Sequence, residues 1–453
     1  MSRSTPRGSG YGRDGVPARR SRRWPLPRAL ALAAMLLAST SAMAQDLLIR
    51  NATVHTATER GTLQNTDVLV RGGRIAQIGS GLAADGVRTV DAAGKPLTPA
   101  LFGGITGIGI EEVSGEESAR DGSLALGSGA KDMVVRPEFD VTLAYNPDSM
   151  VIPVSTYEGI GFTLVSPGTA AGGSIIAGQG APFRLDGSPD PAGPKVLAIR
   201  LGARAAGLTG GSRAGQWMLL DQLVDEARGR IPAGSHAALL TPAGRETLAR
   251  YLDGNGRIVV TVDRAADIRQ LLRWAQRRNV RIAISGGSEA WRLAPQLAAA
   301  GVPVFVDPLD NLPSGFDQVA ATLENAARLR AAGVEVGFTQ AGDATHNARK
   351  VRQLAGNAVA HGLPWEDGLA GLTRVPAEAF GVADQIGTIA VGMRADLALW
   401  SGDPLDVAHT AEQVWFNGVP VEMRSRQTEL RDRYMHTPAP RAEGGLPRAY
   451  PQY

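Results

Sequence analysis

Metal and proton-transfer chemistry needs imidazoles, carboxylates or thiolates gathered in one place, and this chain supplies them unevenly. Cysteine is absent from all 453 residues, which removes disulfides, thiolate metal ligands and a cysteine nucleophile together. Six histidines are present: His55, His236, His346, His361, His409 and His436. None stand two apart, the spacing that puts two rings on one face of a strand. Acids are more concentrated. Glu111, Glu112, Glu116, Glu117 and Asp121 form one cluster, and Asp263, Glu289 and Asp343 each follow a strand-like segment. Such oxygen ligands suit Ca2+ or Mg2+, although a solvated acidic loop is the plainer reading of the cluster. No Gly-x-Ser-x-Gly anchors a serine nucleophile and no glycine-rich phosphate loop opens a helix.

The elements that must position these residues change character along the chain. Residues 47–54, 67–70 and 74–78 read as strands, with Gly72-Gly73 as a hairpin turn. Residues 387–400 read as strand, turn and strand, and residues 413–421 as a hairpin around Asn417-Gly418. Neither end holds enough strands for a stable sheet alone, so the two predict one small β-domain. Between residues 257 and 361 strands and helices alternate. Strands are expected at 257–263, 280–285, 302–307 and 334–339, and helices at 265–278, 289–300, 316–332 and 345–361. That alternation predicts parallel strands with crossover helices, and its regular interval suits an eight-stranded (β/α)8 barrel better than an open sheet. The Gly/Pro-rich half before it gives a helix at 149–158, strands at 162–166 and 172–185, and a helix at 214–227. His346 then either lines the barrel mouth or caps the last of these helices, while His361 before Gly362 reads as a helix end.

The first 44 residues hold eight arginines and one acid, Asp14, then an apolar run from Ala29 to Ala38 and the small-residue end Ala42-Met43-Ala44. This is the order of a secretory signal peptide, with cleavage expected after Ala44. Its apolar run is too short for a membrane span, so no stable span is expected once it is removed. Taking its charge of +7 from the chain's +3 leaves −4, which removes the case for a nucleic-acid partner. The expected location is the periplasm or the exterior.

Several stretches together resemble the amidohydrolase superfamily, nearest to imidazolonepropionase-like members. They are Leu48-Ile49-Arg50-Asn51-Ala52-Thr53-Val54, Val70-Arg71-Gly72-Gly73-Arg74-Ile75-Ala76-Gln77-Ile78-Gly79, Val90-Asp91-Ala92-Ala93-Gly94-Lys95-Pro96-Leu97-Thr98-Pro99 and Gly387-Thr388-Ile389-Ala390-Val391-Gly392-Met393-Arg394-Ala395-Asp396-Leu397-Ala398-Leu399-Trp400. The resemblance implies an α/β fold: a (β/α)8 TIM-like barrel over residues 99–385, with a small composite β-sandwich domain from residues 45–98 and 386–430. Residues 1–44 are then the signal and 431–453 a flexible tail. It also implies divalent-metal hydrolysis of carbon–nitrogen bonds at the barrel mouth. The ligands would be His-x-His on the first strand, one His on each of two middle strands, an Asp on the last, and a bridging carboxylated Lys.

Those ligands are missing. Ile105 and Gly107 stand where the first pair belongs, Thr261 and Asp263 where the next imidazole belongs, Gly286 near the following one, and Gln340 in place of the last-strand Asp, with Asp343 close by. Arg184 is the nearest basic residue expected for the bridging region. The resulting expectation is a catalytically impaired member that binds a small molecule or another protein, an intact amidohydrolase being a natural partner, with no cofactor. Its pocket would hold Ile105, Gly107, Thr261, Asp263, Gly286, Glu289 and Gln340. The alternative is a working hydrolase with one divalent metal (Zn, Mg or Ca) on Glu111, Glu112, Asp263 and Asp343, and with Asp263, Asp343 and His346 as catalytic candidates.

Overall fold

A computed structural model describes residues 46–83, 85–125, 135–424 and 426–435. The expected signal, residues 1–44, and residues 436–453 lie outside the described residues. Strands run in chain order as β1 (Leu47–His55), β2 (Thr62–Arg71), β3 (Arg74–Gly79), β4 (Arg88–Asp91), β5 (Pro96–Pro99), β6 (Leu101–Thr106), β7 (Ile160–Val165) and β8 (Ile176–Arg184). They continue as β9 (Val196–Arg200), β10 (Arg257–Val262), β11 (Ile282–Gly286), β12 (Val304–Val306), β13 (Val336–Phe338), β14 (Leu397–Trp400), β15 (Ala411–Phe416) and β16 (Val419–Pro420).

The first and last strands share one sheet in the order β16-β15-β14-β5-β1-β2-β3, with β4 on β1. The strands of both ends are therefore joined in one hydrogen-bonded sheet, with a core of Leu47, Ile49, Val68, Val70, Leu397 and Trp415. Alternation along β1 and β2 supplies that core, because every second side chain faces it. The hairpin between β2 and β3 turns through Gly72 and Gly73, both at positive φ, and the Asn417 side chain occupies the space a side chain on Gly73 would need. Of the strand–turn–strand expected over residues 387–400, only Leu397–Trp400 is a strand. The earlier arm is held as loop by single backbone bonds, Ile389 N–H to Thr56 and Gly392 N–H to Ile75.

The second sheet contains the eight-stranded barrel in the order β13-β12-β11-β10-β9-β8-β7-β6. Seven strands run in one direction, and β8 runs against both β7 and β9. The connections explain the reversal. A parallel pair needs a crossover of about a dozen residues or more, usually helical, and the loops on either side of β8 are shorter and carry no helix. Elsewhere helices provide the crossovers. Ala265–Arg278 packs Ile268, Leu271, Trp274 and Ala275 on the barrel and ends at Asn279 in the left-handed conformation, a favoured helix stop.

Other helices depart from expectation. The one expected over residues 316–332 is confined to Asn325–Ala331, and the one over 345–361 is divided into Ala344–Asn347, a 3-10 turn and Val351–Ala360. Arg426–Met435 is helical, so residues 431–435 belong to a helix and not to a tail. Among the described residues no helix is long and apolar enough to cross a membrane.

Below its mouth the barrel is filled. Phe102 lies 5.2 Å from Phe162, 5.9 Å from Phe305 and 5.7 Å from Phe380, ring centre to ring centre. Leu164, Val259 and Ala283 complete this plug. Burying each such ring contributes about 1.5–3 kcal/mol, so the plug holds the strands at the spacing that shapes the mouth.

Candidate active site at the barrel mouth

Where the parallel strands end, a cavity of about 860 Å3 opens. Its floor follows from strand register. Arg200 pairs with Thr261 across β9 and β10, and Thr261 pairs with Ser285 across β10 and β11. The three residues form one rung, and all line the cavity. One rung deeper, Ala198, Val259 and Ala283 occupy the same face and lead down to the aromatic plug. The floor is thus polar above and apolar immediately below.

Asp263, two residues beyond Thr261, stands one level higher. Its Oδ1 accepts from the Ser288 hydroxyl at 3.0 Å and the Ser288 N–H at 3.3 Å. Gly286 permits this approach: its φ is +92°, and a Cβ there would lie 2.6 Å from Asp263 Oδ1. Burial pushes the Asp263 carboxyl above the usual range, opposed by the Ser288 bonds. Asp310 accepts from Gln318 and stands 3.3 Å from the same Ser288 hydroxyl. Burial, then the nearby Asp263 charge, pushes its carboxyl up as well. One hydroxyl proton is shared between two acids, which favours keeping one of them protonated.

At the opposite wall the first strand carries no imidazole. The Ile105 N–H donates to Thr339 Oγ1 at 2.9 Å, and the Gly107 N–H donates to Thr345 Oγ1 at 3.0 Å. Thr345 in turn donates to Glu111 at 3.2 Å. A Cβ on Gly107 would meet Thr345 Oγ1 at 3.0 Å and Glu111 Oε2 at 3.2 Å. The Thr345–Glu111 pair therefore crowds the second position, so that a side chain there would have to push one of them aside. The imidazole-held metal centre implied by the resemblance does not fit these residues.

Ile105, Gly107, Thr261, Asp263, Gly286 and Gln340 all line the cavity, as do Asp343 and Glu111. Glu289 is a correction: it is 4% exposed and outside the cavity lining. Its carboxylate accepts the Ala265 and Ala320 N–H groups, each at 2.9 Å, tethering the start of helix Ala265–Arg278 to the loop after β12. Glu112 is also displaced from the metal set, because it faces away to accept from the Met150 N–H at 3.1 Å. His346 is outside the lining, but one of its ring nitrogens comes together with carboxylate oxygens of Glu111 and Asp343, all within 4.8 Å of one another. That trio brings together two residues of the expected metal set, Glu111 and Asp343, and two of the expected catalytic candidates, Asp343 and His346.

Arg184 pairs with Asp186 beside the β-domain, and the basic residues that line the cavity are Arg120, Arg200 and Arg204 instead. Arg200, Arg204, Ser285 and Asp310 were not recognisable as a group from sequence. Arg200 had one available signal, a β-branched and aliphatic run from Val196 that ends on it before Leu201-Gly202.

A sequence profile described as Amidohydrolase family matches residues 345–422. An imidazolonepropionase of Stenotrophomonas maltophilia is 32% identical over 145 residues, which are 31% of this chain and 34% of that protein. An amidohydrolase of Hapsidospora irregularis is 38% identical over 72 residues, 16% of this chain and 7% of that protein. The chain thus spans about a third or less of the length of these curated relatives. Among solved structures, an amidohydrolase from Thermotoga maritima superposes with a TM-score of 0.72 at 26% identity, covering 83% of this chain and all of that one. An adenosine deaminase from Xanthomonas campestris with bound zinc superposes at 0.50 and 18% identity, covering 86% and 98%, a likeness of fold alone. Matches at both sequence and structure level, joined to an eight-stranded barrel beside a sheet built from both ends, place this chain in the amidohydrolase superfamily.

Proposed function

We propose that this chain uses the amidohydrolase barrel to bind a small polar molecule and has lost metal-dependent hydrolysis, in the periplasm if residues 1–44 direct export. The observation carrying this reading is that the mouth stays open and polar while the first-strand positions are occupied by other bonded groups. Ile105 and Gly107 give their N–H groups to Thr339 and Thr345. Thr261, Ser285 and Gln340 offer only hydroxyl and amide groups to a cavity large enough for a small ligand. A scaffold does not fix a function, and the site is what decides.

One observation favours a second reading. Glu111, Asp343 and His346 can present two carboxylates and an imidazole to a single divalent cation, which would support hydrolysis of a carbon–nitrogen bond by a different centre. Metal analysis separates the two. Purified chain loaded with zinc or manganese and desalted is expected to hold far less than one equivalent and to show no amidase activity. One retained equivalent, lost in Asp343→Ala together with measurable hydrolysis, would overturn the binding role and establish the second reading.

A further inference from the structure

Most charged groups around the mouth have partners within the chain. Arg213 takes up Asp317 and Asp267, Asp307 accepts the Leu309 and Ala341 N–H groups, and Arg120 stands 3.9 Å from Glu111. Arg200 is different. It ends β9 on the cavity floor, flanked in register by Thr261. Among the described residues its guanidinium has no hydrogen bond and no ion pair, a lack it shares only with the more exposed Arg204 among the arginines of the lining. A guanidinium carries five donors in a fixed fork, and those of Arg200 line the half-buried cavity floor with no acceptor from the chain. Burial accordingly works against its charge, Arg204 adds to that, and Asp263 opposes it.

Asp263 thus acts on Arg200 through space without reaching salt-bridge distance. One Asp263 oxygen is occupied by Ser288, and the second has no partner among the described residues. The floor therefore presents an unpaired planar cation and, one level above and across a gap, an unpaired carboxylate oxygen.

We infer that the cavity recognises a small molecule carrying a carboxylate, held by Arg200, and an ammonium or amide N–H that donates to Asp263. This rests on the small-molecule reading given above and specifies its ligand class. The carboxylate would meet the guanidinium side-on with two parallel bonds, the geometry that distinguishes Arg from Lys. The Thr261 and Ser285 hydroxyls stand beside it as further donors.

The test uses a panel of dipeptides and N-acyl amino acids, each paired with its carboxamide, titrated calorimetrically into the purified full chain. Free acids are expected to bind at least about tenfold more tightly than their amides. Arg200→Gln should erase that preference while leaving the thermal midpoint unchanged or higher, because a partly desolvated charge with no partner in the chain is removed. Asp263→Asn should weaken ligands with an N–H donor and leave acetate binding unaltered. Equal binding of acids and amides, or a preference that survives Arg200→Gln, overturns this inference while the small-molecule reading stands. Absence of saturable binding by every acid and amide overturns both.

Discussion

Thr339 Oγ1 accepts the Ile105 N–H at 2.9 Å, and through that bond the end of the last barrel strand reaches the first. No backbone ladder joins β13 to β6 in the sheet order, so a side chain closes this part of the seam. Thr339 is 3% exposed, and water does not readily replace it. Thr339→Val is nearly the same shape but cannot accept, and leaves the Ile105 N–H unsatisfied at a cost of about 1–3 kcal/mol. Urea unfolding should show that loss, with Thr339→Ser close to the parent protein. A valine variant of unchanged stability would mean the seam is held by packing alone.

Reinstating imidazoles on the first strand should not reinstate a metal centre. In Ile105→His with Gly107→His, the second ring enters space already occupied by Thr345 and Glu111. The expected outcome is a lowered melting temperature and no stoichiometric zinc by elemental analysis. Tight zinc uptake by the double variant would show that the Thr345–Glu111 pair yields easily.

Glu289 should prove a stability residue with little direct effect on ligand. Glu289→Ala removes the acceptor for two N–H groups in a nearly dry setting. A loss of about 3 kcal/mol is expected, measurable by denaturant titration. Glu289→Gln retains one carbonyl oxygen and should recover part of it.

The raised carboxyl of Asp263 makes a signed prediction about pH. An acid whose folded-state pKa lies above its unfolded value binds more protons when folded, so ionising it lowers stability as pH rises through the interval above the ordinary value of 3.8. Asp263→Asn removes that charge while its amide oxygen can still accept from Ser288. The variant should melt higher than the parent at neutral pH, and the difference should shrink as pH falls below the carboxylate range. A larger advantage in acid than at neutral pH would contradict the assignment.

Local periodicity was enough for some elements and not for others. Helix Ala265–Arg278 is legible to the residue because its apolar positions, its left-handed Asn279 and its flanking strands all agree. Residues 316–324 have helical composition, yet Asp317 bonds the Ala203 N–H and Arg213, and Gln318 bonds Asp310. Those distant partners hold the segment as a loop over the cavity, and nothing local announces them. Helix Pro242–Leu252 did carry a signal, Thr241 as cap with Pro at the first turn, which alternation of strands and helices does not capture. The absence of any His-x-His was legible in the sequence. The groups that bond Ile105, Gly107 and Asp263, namely Thr339, Thr345 and Ser288, arrive from distant segments and had to be seen in three dimensions.

The pairing of β5 with β14 sets a limit on where this chain tolerates a stop. Leu97 lies opposite Leu399, and the Trp400 indole donates to Thr98 at 2.9 Å. A chain ending before Leu397 would leave β5 with an open edge and the Trp415 place in the sheet core vacant. Because those contacts join residues about three hundred positions apart, the loop-closure entropy of the entire barrel stands before them. Nonsense and frameshift changes that remove Leu397–Trp415 thus damage the amino-terminal strands as well.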